Sequence, residues 1–376
     1  MRRRTSETTI TDSDTQYHIL ILRGLDTIMK LPTTDASPSK ATCMLRRLAA
    51  LLLVTVLLCS SLTGCAGTAD SKNSKTLTVT HVLTADHAYH QAWLKVAELV
   101  EERSGGTLRL EIFPNSTLGN ERDVIEGMQL GIVDLSCMST GALASFSPAF
   151  MALDLPFIFD SRENAYKVLD GEIGQELLAS LDDCMLVGVT FWENGFRNIS
   201  NSKHPVVVPE DVKGLKLRTL ENELQVATFT TLGANAIPMN WGEVYTALQQ
   251  GTIDGQENPL AIIYQNKIHE VTNHVSLTGH FYAAAPVIMS KKSLEKLSPE
   301  HRQILLTAIR EVTPYERQIS ENSDTEYLKK LQDEGVQIVT DIDKALWLEA
   351  VQPLYDQYRD VIGADLLQRI QDAMAS

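Results

Sequence analysis

From residue 77 onward, the spacing of hydrophobic and polar residues changes repeatedly between two periods. Short segments alternate residue by residue, as strands do, and longer ones repeat their apolar side chains at the spacing of one helix face. Gly and Pro residues separate these segments. In chain order they predict strand 77–81, helix 86–104, strand 107–113, helix 120–130 and strand 132–138. This order is typical of an α/β layer around a largely parallel sheet.

The same alternation continues further along the chain. It predicts strands at 186–192, 215–218 and 286–290 and helices at 221–232 and 244–250. Ser298, Pro299 and Glu300 have the order that is typical of a helix start, and they open a long amphipathic stretch in which Pro314 is expected to cause a kink. Residues 341–374 are helical by periodicity, so the chain is expected to finish in a long C-terminal helix.

The N-terminal part of the chain follows a different pattern. A basic start at Met44–Arg47 precedes the uncharged apolar run Leu48–Leu58. This run is too short to cross a bilayer core of about 30 Å and is typical of a signal peptide, which we predict at residues 44–64. Residues 1–43 are predicted to be a disordered extension or the product of a misassigned start codon, and the polar residues 65–76 a flexible tether.

The signal peptide ends in Leu62–Cys65, which resembles the bacterial lipobox, where the cysteine is acylated. A diacylglycerol supplies two acyl chains, enough for stable anchoring. We therefore predict lipidation of Cys65 and a location outside the cytoplasm, in the periplasm or on the outer face of the cell membrane. Cys137 and Cys184 remain beyond the anchor, and they are either one disulfide or two free thiols.

Composition narrows the kind of partner. The chain of 376 residues has 44% hydrophobic and 22% charged residues, an ordinary globular balance that predicts about two domains. Its formal charge of −15 argues against nucleic acid as a partner. An acidic protein that binds an anion needs a locally basic site, so individual arginines become the first candidates. No cysteine or histidine spacing indicates a metal site, and no cofactor motif is present.

Several motifs occur together in the second half of the chain. They are Gly195–Asn201, Pro209–Arg218, Leu232–Met239 and Glu243–Pro259, preceded by Phe113–Arg122 and followed by Leu277–His280. With these motifs, residues 77–340 resemble the solute-binding subunits of tripartite ATP-independent periplasmic (TRAP) transporters, the DctP family.

The resemblance implies a two-domain, periplasmic-binding-protein-like fold in which strands cross a hinge and a ligand is held in the cleft between the domains. Domain I would contain residues 77–194 plus 284–323, and domain II residues 195–283 plus 324–376. The implied partners are a small organic acid and the small and large membrane subunits of a TRAP transporter. No catalysis is expected.

Four residues match positions that bind the ligand in this family. By the resemblance, Arg218 pairs with the ligand carboxylate through its planar fork of donors, although its position alone favours a solvated arginine. Arg197 matches a second basic contact, the alternative being a surface salt bridge. Asn258 lies in a segment that looks too polar for a core strand, and its amide can both donate and accept. Trp241 would pack over the carbon skeleton of the ligand, the alternative being ordinary core packing.

Further candidates come from segments that line the cleft in relatives: His81, Ser139, Glu221 and Tyr282. A carboxylate such as Glu221 near a bound acid favours a ligand whose hydroxyl groups can donate to it. The sequence therefore favours a sugar acid such as a hexuronate or aldonate. A C4-dicarboxylate stays open as the alternative.

Two other functions are alternatives to solute delivery. A secreted lipoprotein enzyme is disfavoured because the chain has no nucleophile elbow, dinucleotide-binding or P-loop motif. His269 and His274 are five residues apart where a zinc-protease helix needs four, so a surface helix is the better interpretation. A binding protein that feeds a sensor kinase uses the same kind of cleft, and the sequence leaves that alternative open.

Overall fold

The computed structural model describes residues 74–375, which are organised around a nine-stranded sheet. Its strands are β1 (Lys75–Thr80), β2 (Leu108–Phe113), β3 (Leu135–Cys137), β4 (Leu186–Asn201), β5 (Lys216–Thr219), β6 (Asn235–Pro238), β7 (Gly255–Asn258), β8 (His274–Ser290) and β9 (Gln337–Val339). Their order across the sheet is β2-β1-β3-β8-β4-β7-β5-β6, and β9 pairs with β8.

The long strands β4 and β8 connect the two halves of this sheet. They pair antiparallel from Leu186 and Ser290 at one end to Asn201 and His274 at the other, with irregularities along the way. One half, the first lobe, carries β1, β2 and β3; the other, the second lobe, carries β5, β6, β7 and β9. The result is a two-domain, periplasmic-binding-protein-like fold with hinge-crossing strands.

Helices lie between these strands along the chain and follow the last of them. They are α1 (Ala88–Arg103), α2 (Glu121–Leu130), α3 (Thr140–Leu143), α4 (Arg162–Asp170), α5 (Glu172–Ser180), α6 (Glu223–Thr231), α7 (Trp241–Gln249), α8 (Leu260–Gln265), α9 (Lys291–Glu295), α10 (Pro299–Asp333), α11 (Lys344–Ile362) and α12 (Ala364–Ala375). Short 3-10 turns lie at Pro148–Asp154, Leu181–Cys184, Pro209–Val212 and Ile268–Glu270.

Helix starts are where the sequence predicts them. Asn120 accepts a hydrogen bond from the Asp123 backbone at 3.0 Å, and the Asp123 side chain accepts one from the Asn120 backbone, which completes a capping box. Gly131 closes this helix in the left-handed conformation, with φ 78°. Ser298 caps α10, and Pro299 takes its first position. These three predictions are confirmed.

Several boundaries differ from the prediction. Strand β4 continues well past the predicted end at 192, and β8 begins twelve residues before 286, because both crossing strands carry buried polar residues that hide the strand pattern. Residues 341–374 form two helices separated by Gly363, whose φ is 99°. Strand β1 already begins at Lys75, inside the segment predicted to be a tether.

The predicted extension, signal peptide and lipidated Cys65 lie outside the described residues. Within 74–375, no helix combines the length and the apolar character that a membrane span requires. In the same range Cys137 and Cys184 are both free thiols. Cys137 accepts a hydrogen bond from the Trp93 indole at 3.2 Å, and Cys184 lies 3.2 Å from the Phe146 carbonyl oxygen. The two thiols are therefore not joined in a disulfide.

The three C-terminal helices pack against elements of both lobes. Helix α10 packs along α1 and β4, and α11 packs on α6 and on the 3-10 turn at Pro148–Asp154. Helix α12 packs on α4 and α5, where Arg369 pairs with Glu176 at 2.7 Å. The C-terminal residues predicted for domain II thus also contact a segment predicted for domain I.

Candidate functional site: a basic cleft at the strand ends

Two adjoining cavities lie where the parallel strands of both lobes end. We call them together the cleft; they share Glu121, Arg218, Leu220 and Trp241. The loops that follow β1, β3, β5 and β6 contribute Val82, Ser139, Leu220 and Met239 to the walls. Ligands in open α/β sheets bind at such carboxyl ends of strands.

Arg218 is a buried cation of the cleft with no counter-ion among residues 74–375. It is 3% exposed, and its Nε donates to the Met239 carbonyl at 2.8 Å. Among residues 74–375 no carboxylate lies within salt-bridge distance of it. Burial lowers its pKa to about 10, with Glu257 acting against and Arg197 adding to that effect, so the guanidinium stays charged at neutral pH. A buried cation without a partner is costly, so this position favours an incoming anion.

Trp241 forms an apolar wall beside Arg218. It is the first residue of α7, and the centre of its ring lies 5.7 Å from the Arg218 guanidinium carbon. The side chain is half-buried and also contacts the cores of both lobes. Trp241 therefore takes part in core packing, which was the alternative expected for it, and also lines the cleft.

Arg197 is engaged by a carboxylate inside the protein. Its Nε and Nη2 donate to the two carboxylate oxygens of Glu257 at 2.6 and 2.7 Å, and His280 lies 3.2 Å from the same carboxylate. Burial would raise the Glu257 pKa, but Arg197 and His280 bring it down to about 2. Both partners are fully buried, so the expected alternative of a surface salt bridge is wrong. Arg197 still lines the cleft.

Asn258 requires a correction. The sequence suggested a segment too polar for a core strand, yet β7 is a strand whose four residues are all buried. Each polar group has a partner: Gln256 donates to the Ser200 hydroxyl at 2.7 Å, Glu257 pairs with Arg197, and the Asn258 amide bonds Gln256. Satisfied hydrogen bonds let a polar strand be buried. Asn258 lines the cleft at the end of this strand.

The remaining candidates divide into two groups. Ser139 and the exposed Glu221 line the cleft. His81 and Tyr282 are absent from its walls. A ring nitrogen of His81 lies 3.2 Å from one of His90, and Tyr282, on the crossing strand β8, donates its hydroxyl to Glu193 at 2.9 Å. The structure therefore brings six of the eight predicted residues to the cleft.

The candidates predicted from the sequence left out other cleft residues, among them Tyr89, Glu121 and Asn194. Glu121 directly follows the recognised cap Asn120, so the cap motif could have indicated it. Burial raises the Glu121 pKa, and Arg218 and the Ser139 backbone N–H act against that effect. Tyr89 fits the apolar face of α1, and Asn194 lies in a crossing strand, so neither showed a local signal.

The lobes also touch beside the cleft. The amide of Asn222, just after β5, donates to the Asp154 carboxylate at 2.8 Å and to the Gly141 carbonyl at 3.2 Å. Thr140 donates to the same carboxylate at 2.6 Å. Asp154 is 2% exposed, and burial raises its pKa to about 7 although both hydrogen bonds oppose the rise. This contact joins segments that follow strands of different lobes.

Residues 74–375 contain no group of three or more His, Cys, Asp or Glu side chains arranged to hold a metal ion. The predicted surface helix around His269 and His274 is wrong: His269 lies in a 3-10 turn and bonds Glu334 at 2.8 Å, and His274 begins β8. The two histidines thus belong to separate elements and do not lie on one helix.

The geometry agrees with comparison to known proteins. The family model described as bacterial extracellular solute-binding protein, family 7 (DctP), matches residues 79–360. The chain belongs to this family. The family 7 assignment confirms the predicted class, a solute-binding protein of TRAP transporters that acts outside the cytoplasm and is not an enzyme.

Relatives of this family 7 chain bind different acids. It is 38% identical over 289 residues to the 2,3-diketo-L-gulonate-binding periplasmic protein of Escherichia coli, covering 75% of this chain and 87% of that one. It is 33% identical over 302 residues to the C4-dicarboxylate-binding periplasmic protein of Rhodobacter capsulatus, covering 78% and 90%. A TRAP periplasmic solute-binding protein from Polaromonas sp. JS666, bound to D-erythronate, matches with a TM-score of 0.77 and 36% identity, covering 79% and 98%.

Proposed function

We propose that this family 7 protein captures a small organic acid by its carboxylate at Arg218 and delivers it to TRAP membrane subunits. The observation that carries the proposal is the buried guanidinium of Arg218, whose terminal nitrogens make no hydrogen bond with residues 74–375. A carboxylate would supply both the missing charge and two acceptors in the geometry of the fork. Arg197, held in place by Glu257, would direct a further donor at the same acid.

The ligand we favour is a sugar acid, either a hexuronate or an aldonate. Trp241 offers an apolar wall for a carbon chain, and Asn258 and Glu221 offer acceptors for hydroxyl groups. The diketogulonate and D-erythronate named for the two relatives are acids of this kind. A C4-dicarboxylate is the second candidate, supported by the Rhodobacter relative.

The binding step would be a closure of two domains around the acid, domain I with residues 77–194 plus 284–323 and domain II with 195–283 plus 324–376. Residues of both lobes line the cleft, so a ligand that contacts both stabilises the closed form. The closed form would then dock onto the small and large membrane subunits. If a sensor kinase is encoded beside this protein and the membrane subunits are not, delivery to a transporter is the wrong assignment.

The test is a thermal-shift screen of the purified protein with uronates, aldonates and C4-dicarboxylates. Ligand that binds the folded state raises the melting temperature in a saturable way. Arg218→Met should abolish the shift, because methionine fills the volume without donors, and Arg218→Lys should recover only part of it. Arg359→Met, on the exposed face of α11, is the control. If acids stabilise wild type and Arg218→Met equally, the proposed role of Arg218 is incorrect.

We also propose that Cys65 is the lipid anchor and that the protein is held on the membrane outside the cytoplasm. The support is the sequence Leu62–Cys65 after an apolar run. Cys65→Ser should move the protein from the membrane fraction to the soluble fraction, with ligand binding unchanged. A variant that stays in the membrane fraction would exclude this anchor.

A further inference from the structure

Three polar side chains line the smaller cavity of the cleft without hydrogen-bond partners. Tyr89 on α1, Ser139 just before α3, and Asn194 at the irregularity in β4 are 1%, 4% and 6% exposed. The Tyr89 hydroxyl, the Ser139 hydroxyl and the Asn194 Oδ1 are buried atoms that bond to nothing within residues 74–375. An unsatisfied buried polar group costs about 1–3 kcal/mol, so three in one cavity indicate a shared partner.

The charges of the same cavity restrict that partner. Its charged side chains are Arg218, Arg197 and Glu121. Arg197 already holds the Glu257 carboxylate through both Nε and Nη2, which leaves Arg218 as the cation for an incoming anion. A second ligand carboxylate would meet Glu121 and find no other unpaired cation. The cavity thus suits one anionic group together with neutral ones.

The chemistry of the three groups indicates which neutral groups fit. An amide offers both a donor and an acceptor, and the hydroxyls of Tyr89 and Ser139 can do either. An alcohol hydroxyl can likewise donate and accept, whereas an ionised carboxylate only accepts. Hydroxyl groups on the carbon chain of a bound acid are therefore the neutral groups that suit these three side chains.

We propose that Tyr89, Ser139 and Asn194 form a hydroxyl-recognition subsite, which makes the protein select hydroxylated monocarboxylates over dicarboxylates. This inference rests on the proposed capture of the carboxylate at Arg218. It assigns three further residues of the same cavity, and it explains why uncharged polar residues are left unpaired there. Sites built to bond hydroxyls discriminate strongly against analogues that lack them, because the buried groups are then left unpaired.

The experiment compares three four-carbon acids by isothermal titration: D-erythronate with three hydroxyls, butyrate with none, and succinate with a second carboxylate. D-Galactonate and D-glucuronate extend the panel to longer hydroxy acids. The variants are Tyr89→Phe, Ser139→Ala and Asn194→Leu. Tyr355→Phe is the matched control, since its hydroxyl donates to the Pro156 carbonyl at 2.7 Å away from the cleft. Thermal melts identify any variant that has lost its fold.

We expect wild type to bind hydroxy acids tighter than both succinate and butyrate. Each subsite variant should weaken hydroxy-acid binding by about five- to tenfold, the effect of one lost hydrogen bond, and leave butyrate binding unchanged. Succinate binding tighter than every hydroxy acid would overturn the subsite and leave the role of Arg218 intact. Equal losses for hydroxy acids and butyrate would show that the three residues only shape the cavity or hold water. Acid binding that survives Arg218→Met contradicts the proposed function instead.

Discussion

Two buried arginines, Arg197 on β4 and Arg218 on β5, differ in how their charges are balanced. Arg197 forms a two-point pair with Glu257 inside the protein, and Arg218 has only a carbonyl as its partner. Paired buried charges hold their geometry, whereas an unpaired one contributes its charge to a ligand. Arg197 therefore holds the structure of the site in place, and Arg218 is the proposed contact for the ligand carboxylate.

Replacing Arg197 should lower both the stability of the fold and the affinity for the ligand. Arg197→Met leaves Glu257 buried without its main counter-ion, and breaking such a pair costs about 3–5 kcal/mol. The double variant Arg197→Met with Glu257→Gln should regain a large part of that loss, because no charge is then stranded. Urea denaturation of the three proteins measures this. A single variant as stable as wild type would mean that His280 alone neutralises Glu257.

Asp154 should make stability depend on pH near neutrality. Its pKa is raised from 3.8 to about 7 in the folded protein, so the folded state binds more protons than the unfolded state between these values. Stability attributable to Asp154 therefore increases as pH falls from 8 through 7, and this gain is complete below about pH 4. His81 and His87, with pKa values lowered to about 3, act in the opposite sense below pH 6.5.

The check is urea denaturation of wild type and Asp154→Asn at pH 8 and pH 6.5. Histidines of the unfolded chain become protonated in this window, but both proteins carry the same histidines, so their effect cancels in the comparison. Relative to Asp154→Asn, wild type should gain stability as the pH falls from 8 to 6.5. The Thr140 hydroxyl can rotate to accept from the new amide, so the variant should fold. An unchanged pH dependence in Asp154→Asn would assign the effect to another group.

At the scale of elements, local signals gave reliable predictions and long-range pairing did not. The Asn120 cap, the Gly131 stop and the Ser298–Pro299 start depend on residues within a few positions, and all three are present. Strand β7 could not be recognised, since its burial depends on partners such as Arg197 and Ser200 about sixty residues away. The unpaired hydroxyl of Tyr89 could not be predicted from the sequence either, because a tyrosine on the apolar face of a helix is usually a core residue.

Strand β7 also depends on a close approach at Gly255. A Cβ there would overlap the Ser200 carbonyl oxygen and come within 2.7 Å of the Asn201 Cβ. Gly255→Ala should push β7 away from β4, destabilise the fold by about 1–3 kcal/mol, and weaken acid binding because Glu257 and Asn258 move with the strand. Calorimetric melting and titration together measure both effects.

Gly242 provides the matched control. It lies in α7 beside Trp241, and a Cβ at this position would meet no atom within 4 Å. Gly242→Ala should therefore be neutral or stabilising by up to about 1 kcal/mol. If Gly255→Ala behaves like Gly242→Ala, the two strands have room that the structure does not indicate.

On the scale of the whole molecule, the contact between lobes beside the cleft should favour the closed form. Asn222 bridges from the second lobe to Asp154 and Gly141. The same side chain caps α6 by accepting from the Gln225 backbone at 3.1 Å. Asn222→Ser keeps a good capping residue and removes only the amide donor.

Asn222→Ser should lower ligand affinity by about three- to tenfold, the value of one ordinary hydrogen bond, although Asn222 does not touch the ligand. Small-angle X-ray scattering should show a larger open fraction at equal ligand concentration. Asn164→Ser is the control, since it removes an amide-to-carboxylate bond to Asp160 within one lobe. Equal affinity in Asn222→Ser and wild type would show that this contact does not bias closure.

The pairing of β4 with β8 also governs how the chain can fold during synthesis. Leu186 pairs with Ser290, and β3 finds its second neighbour only in the same late strand, at Met289. The sheet of the first lobe therefore cannot be completed until residue 290 has been made, and such long-range pairing folds slowly. A chain truncated before β8 should remain unfolded, so neither lobe can be produced by itself from a continuous N-terminal fragment.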